Sequence, residues 1–171
     1  MTNQNTAPAL PIGLKALEIA VSQIGVQEEP KGSNRGPQVE AYLKCVGLGG
    51  GYAWCQAFVR WCYEQAAKEL GIPNPVPNTA GVLQCWNKAD VGMKLIPAQF
   101  ISHAQLIVPG SQLIMDFGHG EGHTGIVEKV LNGVIHTIEG NTNDDGSREG
   151  YEVCRRERRC IDVHIKGIIR Y

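Results

Sequence analysis

The run Gly122-His123-Thr124-Gly125-Ile126-Val127-Glu128-Lys129-Val130-Leu131-Asn132-Gly133-Val134-Ile135-His136-Thr137-Ile138-Glu139-Gly140-Asn141-Thr142 decides the fold. Two stretches of strand character, 122–130 and 134–138, flank Asn132-Gly133, a strong hairpin signal. Side chains alternate between the faces of a sheet, so the register of this hairpin fixes which residues can meet. If Asn132-Gly133 alone forms the loop, paired residues have numbers summing to 265, and His123 and Glu139 fall on opposite faces. A three-residue loop, Leu131-Asn132-Gly133 with Gly133 left-handed in a bulge, lowers the sum to 264. His123 then lies opposite Asn141, Glu139 lies opposite Gly125, and all three polar side chains share one face. Ile126, Val130, Val134 and Ile138 gather on the other face as a core surface. The three-residue loop, or an equivalent bulge, is the expected arrangement.

Working outward, 112–116, 151–158 and 164–170 also read as strands. Upstream the period changes. Leu14, Leu17, Ala20, Val21 and Ile24 recur at helical spacing from Pro11 to about Val26. A second helix is expected over about 37–46 and a fourth over about 79–89. The third, from Trp54 to Leu70, carries Cys55, Val59, Cys62, Ala66 and Leu70 on one stripe and stops at Gly71. The segment 91–110 reads as loop. Helices first and an antiparallel sheet second make an α+β fold, with N-terminal helices packed on a C-terminal antiparallel sheet.

The chain has 171 residues, which fits one domain: a flexible tail over 1–10 and a single unit over 11–171. Sixteen basic residues against seventeen acidic give a net charge of −1, which argues against nucleic acid or anionic lipid as partners held by bulk charge. The first residues lack a basic region and a continuous apolar run, so neither a signal peptide nor a membrane span is expected. Synthesis in a reducing cytoplasm then leaves the six cysteines as thiols by default. No CxxC pair suggests a structural zinc site. In one straight strand Cys154 and Cys160 would stand about 20 Å apart, too far for a disulfide, whereas an intervening turn would allow one.

Cys55 falls at the first turn of the third helix, after the glycine-rich 47–51 loop. Unpaired N–H groups and the positive dipole end at a helix start stabilise a thiolate. His123, framed by glycines at a strand start, can act as base toward a thiol on a neighbouring helix. Glu139 and Asn141 end the following strand and are the choices for orienting the imidazole. His119 and His123 form an HxxxH pair, but the glycines at 118, 120, 122 and 125 oppose the helix a metal pair needs. Arg155, Arg156, Arg158 and Arg159 read as a solvated strand edge, with an anionic-polymer patch as the rival.

The blocks Tyr52-Ala53-Trp54-Cys55-Gln56-Ala57-Phe58-Val59, Gly122-His123-Thr124-Gly125-Ile126-Val127 and Thr137-Ile138-Glu139-Gly140-Asn141-Thr142 resemble the signature blocks of the CHAP family. These are cysteine- and histidine-dependent amidohydrolases or peptidases of the papain-like, NlpC-type group that cut peptidoglycan. The resemblance spans roughly residues 12–171. It implies a papain-like fold with Cys55 as nucleophile, His123 as general base and later acid, Glu139 as the orienting partner, and Asn141 as a secondary polar contact. It also places Trp54 beside the cleft, and Gln56, next to the nucleophile, is expected to bind substrate. No cofactor or metal is expected. Some phage members bind calcium through acidic residues just before the nucleophile, and 46–53 here contains neither Asp nor Glu.

The expected activity is therefore cleavage of a peptidoglycan amide bond, as an N-acetylmuramoyl-L-alanine amidase or an endopeptidase, by a monomer. The alternatives are a non-catalytic papain-like binding module with a vestigial Cys–His pair, and a metal-dependent enzyme using His119 and His123. Lacking a signal peptide, the protein is expected to reach the wall as a phage lysin after holin release, or as an injected antibacterial effector. In the second case an immunity protein and delivery machinery are its partners.

Overall fold

The computed structural model describes residues 9–143 and 150–171; the expected tail lies largely outside the described residues. Four helices come first: α1 (Pro11–Ser22), α2 (Pro37–Lys44), α3 (Cys55–Leu70) and α4 (Val82–Lys88). A two-residue strand β1 (Lys94–Leu95) and a short helix α5 (Pro97–Phe100) follow. The remaining strands are β2 (Gln112–Gly118), β3 (Glu121–Leu131), β4 (Val134–Thr142), β5 (Glu152–Arg159) and β6 (Ile165–Ile169). They form one six-stranded sheet in the order β1-β6-β2-β3-β4-β5, every pairing antiparallel. The fold is α+β, as the order of elements implies.

The sheet is covered on both faces. Toward the helices, Ile114, Ile126, Ile138, Val153 and Ile169 join Ala16, Ala20, Phe58, Val59, Cys62 and Ala66 in one buried cluster. On the opposite face Leu113, Met115, Val127, Ile135 and Ile168 pack with Leu95, Phe100 and Ile107. The 91–110 segment, expected to be loop, thus supplies an edge strand and the second cover. Its elements are too short to show a period; what orders them is apolar area buried against the sheet.

Three helix details depart from the pattern. α1 ends at Ser22, short of Val26. Its buried face is Ile12, Gly13, Ala16 and Ala20, while Leu14 and Val21 are exposed. In α3 the expected stripe is buried from Cys55 to Ala66, but Leu70 is exposed beside Gly71, which closes the helix in the left-handed region at φ 66°.

The hairpin reaches the expected register through an equivalent bulge rather than through the loop. Asn132 and Gly133 both have positive φ, 50° and 75°, and Leu131 pairs with Val134: a two-residue turn, not the three-residue loop. The shift comes from a bulge further along β3. Val130 pairs with Ile135 and Lys129 with His136, but Val127 pairs with Thr137 and Ile126 with Ile138, leaving Glu128 as the extra residue. Beyond Glu128 the sum is therefore the expected 264. Before it the faces are exchanged, so Val130 joins Ile135 and Val127 rather than Ile126 and Ile138.

Gly140 lets α3 press directly onto β4. A Cβ there would stand 2.6 Å from the Trp54 ring and 2.8 Å from Phe58 Cγ, both backed by fully buried side chains. Overpacking of this kind costs about 1–3 kcal/mol. Gly140→Ala is expected to lower unfolding free energy by about 2 kcal/mol in urea titration; an unchanged midpoint would show that α3 and β4 are less tightly apposed.

Candidate active site

Three elements meet at one end of the sheet. Cys55 is the first residue of α3 and 7% exposed. Its helix has no side-chain cap and no acidic residue in the first turn, and the first main-chain bond closing onto Trp54 O comes from Phe58 N–H. The N–H groups of Cys55, Gln56 and Ala57 therefore have no partner within the helix, and the positive dipole end is uncompensated. The preceding loop is tied to the 28–36 loop: Gly51 N–H donates to Asn34 O at 2.7 Å, and Trp54 Nε1 donates to Glu28 Oε1 at 2.9 Å.

His123 lies near the start of β3, 3% exposed, and Glu139 on β4 is wholly buried. The β3–β4 ladder ends at Ile126–Ile138, so the expected pairings of His123 with Asn141 and Gly125 with Glu139 lie beyond it. Gly125 and Glu139 nevertheless adjoin: a Cβ on Gly125 would fall 2.5 Å from Glu139 Cγ. The glycine leaves the space into which the carboxylate folds, and Glu139 Oε2 sits 2.7 Å from His123 Nε2. Nδ1 is then the ring nitrogen that Glu139 leaves free, and Cys55 is near enough to act electrostatically on the imidazole.

Glu139 has further partners. Arg158 of β5 binds it as a fork, Nη2 donating to Oε2 at 2.7 Å and Nε to Oε1 at 3.1 Å. The Thr137 hydroxyl donates to Oε1 at 2.6 Å. The sequence groups Arg158 with its neighbours as a solvated strand edge. That holds for Arg155, which is exposed and pairs with Glu128, and for the exposed Arg159. Arg158 alternates onto the Glu139 side of the sheet, paired in register with Ile135. The signal available in the sequence was alternation along β5, which puts every second arginine on one face.

Burial alone would lower the His123 pKa, but the charge and hydrogen bond of Glu139, with the nearby Cys55, outweigh it and push it up. Burial alone would raise that of Glu139; His123 and Arg158 instead hold it well below the usual carboxylate range. The buried carboxylate thus favours the imidazolium that His123 becomes on taking up a proton.

Two of the expected substrate contacts lie elsewhere. Trp54 is wholly buried, stacked on Tyr42 and held by Glu28, so it braces the loop before Cys55 rather than lining a cleft. Gln56 is also wholly buried, its Oε1 accepting from Gln112 Nε2 at 2.8 Å, because its helix position faces the sheet. Asn141 is 3% exposed with φ 56°, and among the described residues its Oδ1 has no hydrogen-bond partner, so it contacts neither His123 nor Glu139 through that atom. His119 occupies an exposed turn with φ 54°, apart in character from buried His123.

A family model, the CHAP domain, matches residues 47–141, more than half of the chain, covering the first two signature blocks and the third as far as Asn141. The chain belongs to the CHAP family. CHAP domains are generally hydrolases acting on peptidoglycan, which gives this chain an amidase- or peptidase-type function in the cell wall. No curated protein and no solved structure matches it. No helix among the described residues is long and apolar enough to cross a membrane.

The coupled pair has a signature in stability. The His123 pKa is raised in the fold, so its contribution is complete below about pH 6.5 and fades as pH rises through its folded value. That of Glu139 is lowered, so its contribution is complete above about pH 4.5 and fades as pH falls through its folded value. Breaking one partner of a buried pair costs about 3–5 kcal/mol. Thermal unfolding of the native protein and Glu139→Gln is expected to differ most between about pH 5 and 6.5, the gap narrowing toward pH 10. A gap independent of pH would contradict an ionised His123–Glu139 pair.

Proposed function

We propose that the protein is a cysteine hydrolase that cuts a peptidoglycan amide bond with Cys55 as nucleophile, His123 as base and acid, and Glu139 as the group that orients and charges the imidazole. The observation that carries the reading is the 2.7 Å contact between His123 Nε2 and Glu139 Oε2, made beside a thiol at an uncapped helix start. Glu139 holds the ring in one orientation with Nδ1 toward Cys55, and its charge stabilises the imidazolium. The Cys55 thiol gives its proton to Nδ1, and the thiolate attacks the scissile carbonyl. The oxyanion meets the N–H groups at the start of α3, aimed before reaction begins. His123 returns the proton to the departing amine, leaving a thioester on Cys55. His123 then takes a proton from water, the hydroxide equivalent attacks the thioester, and the thiol leaves with its proton restored.

Residues 11–171 act in this reading as a single catalytic unit. Trp54, Thr137 and Arg158 support the site from behind, and the substrate contacts come from the rim of loops before α3 and β3. Action on the wall as a phage lysin or a delivered effector both fit the chemistry. Neighbouring genes separate them: a holin accompanies the first, a small immunity protein the second.

Lysis of purified cell walls is the functional test. Cys55→Ala and His123→Ala are each expected to lower the rate by about 10³-fold or more, as loss of a member of a nucleophile–base pair does. Mass spectrometry of the digest then names the bond, by a new stem-peptide N-terminus for an amidase or a cut within stem or crossbridge for an endopeptidase. Undiminished lysis by Cys55→Ala overturns the assignment.

A further inference from the structure

Behind the site lies a polar network that the catalytic reading does not use. Gln112, the first residue of β2, is wholly buried between α3, α4 and β3. Its Nε2 donates to Gln56 Oε1 at 2.8 Å and to Thr124 Oγ1 at 2.8 Å. Its Oε1 accepts from the Tyr171 hydroxyl at 3.0 Å and from the Cys85 thiol at 3.6 Å. Both donors and both acceptor sites of the amide are therefore used. The orientation is fixed chemically: the Thr124 hydroxyl spends its own proton on Leu113 O at 2.6 Å, so whatever faces Thr124 Oγ1 must donate.

Gln56 follows Cys55 and Thr124 follows His123. One amide thus spans the residue after the thiol and the residue after the imidazole. We infer that Gln112 is a positioning residue, a clamp that sets the distance between α3 and β3 and so between Cys55 and His123. It cannot meet substrate, being sealed from water. The arrangement is costly, since Gln56 Nε2 is left buried without a partner among the described residues. Apolar packing would hold the two elements together without that cost, but would not fix their separation. Two short bonds to one planar group do fix it, and a displacement of about 1 Å between reacting groups costs on the order of 10²-fold in rate.

The inference rests on the catalytic reading of Cys55 and His123, so the test reads both. In the full chain, kcat and KM are measured on soluble peptidoglycan fragments, together with the rate of Cys55 alkylation by iodoacetamide at pH 6, located by peptide mapping. Gln112→Leu keeps the volume and removes both arms. It is expected to lower kcat by about 10- to 100-fold with KM changed less than about threefold, and to slow Cys55 alkylation by about tenfold, while melting stays cooperative. If Gln112→Leu does not fold, Thr124 decides: Thr124→Val, which loses one arm, is expected to lower kcat, and Thr124→Ser, which keeps the hydroxyl, to retain most of it. A folded Gln112→Leu with native kcat and alkylation rate, or equal kcat in the two Thr124 variants, overturns the clamp alone. A native protein whose Cys55 alkylates no faster than its other thiols overturns the catalytic reading beneath it.

Discussion

The contact between the His123 imidazole and the Glu139 carboxylate is the constraint on which the rest of the site depends. Both groups are almost sealed from water, and an unpaired charge in such a place is expensive. Each is tolerable only because the other is there, with Arg158 and Thr137 completing the carboxylate's bonds. The backbone meets this demand in two ways. The bulge at Glu128 changes the register by one, so that β4 turns Glu139 to the face that can receive His123. Gly125 then leaves unfilled the volume that the carboxylate chain occupies.

The charges in the cluster also arrange its reactivity. Arg158 neutralises part of Glu139 and fixes its plane by a bidentate bond, which leaves one oxygen edge for His123. The carboxylate makes the imidazole more basic, which in the proposed mechanism lets it hold the proton taken from Cys55. The uncapped start of α3 favours negative charge, in the proposed mechanism first on the Cys55 sulfur and then on the oxyanion. The site is thus assembled from a helix end, a strand start and a strand end, each rigid, with packing at Gly140 and the Gln112 amide holding the pieces in place.

Much of this was legible in the residues. The change from helical to alternating period gave the fold class, and Asn132-Gly133 gave the turn. Parity required one extra residue between His123 and Glu139, but any position along the hairpin satisfies parity. The structure takes the equivalent bulge, at Glu128 rather than in the loop, and only the face of Val130 differs from the expectation. Arg158 was hidden because four arginines in five residues look alike until alternation separates them. The resemblance places Trp54 beside the cleft, and Gln56, next to Cys55, is expected to bind substrate; both side chains are buried. A helix turns about 100° per residue, and proximity along the chain says little about which way a side chain points. The 91–110 segment carries elements of two to four residues, below the length at which a period can be read.

The central claim is that Cys55 forms the covalent link to the acyl half of the substrate. It is tested most directly by acid quenching during turnover of peptidoglycan fragments, followed by peptide mapping of the intact protein. The expected result is a thioester-linked fragment on the peptide containing Cys55 in the native protein, absent from His123→Ala. Turnover with no adduct on Cys55, under conditions where substrate is saturating and release is slowed by cold, would contradict it.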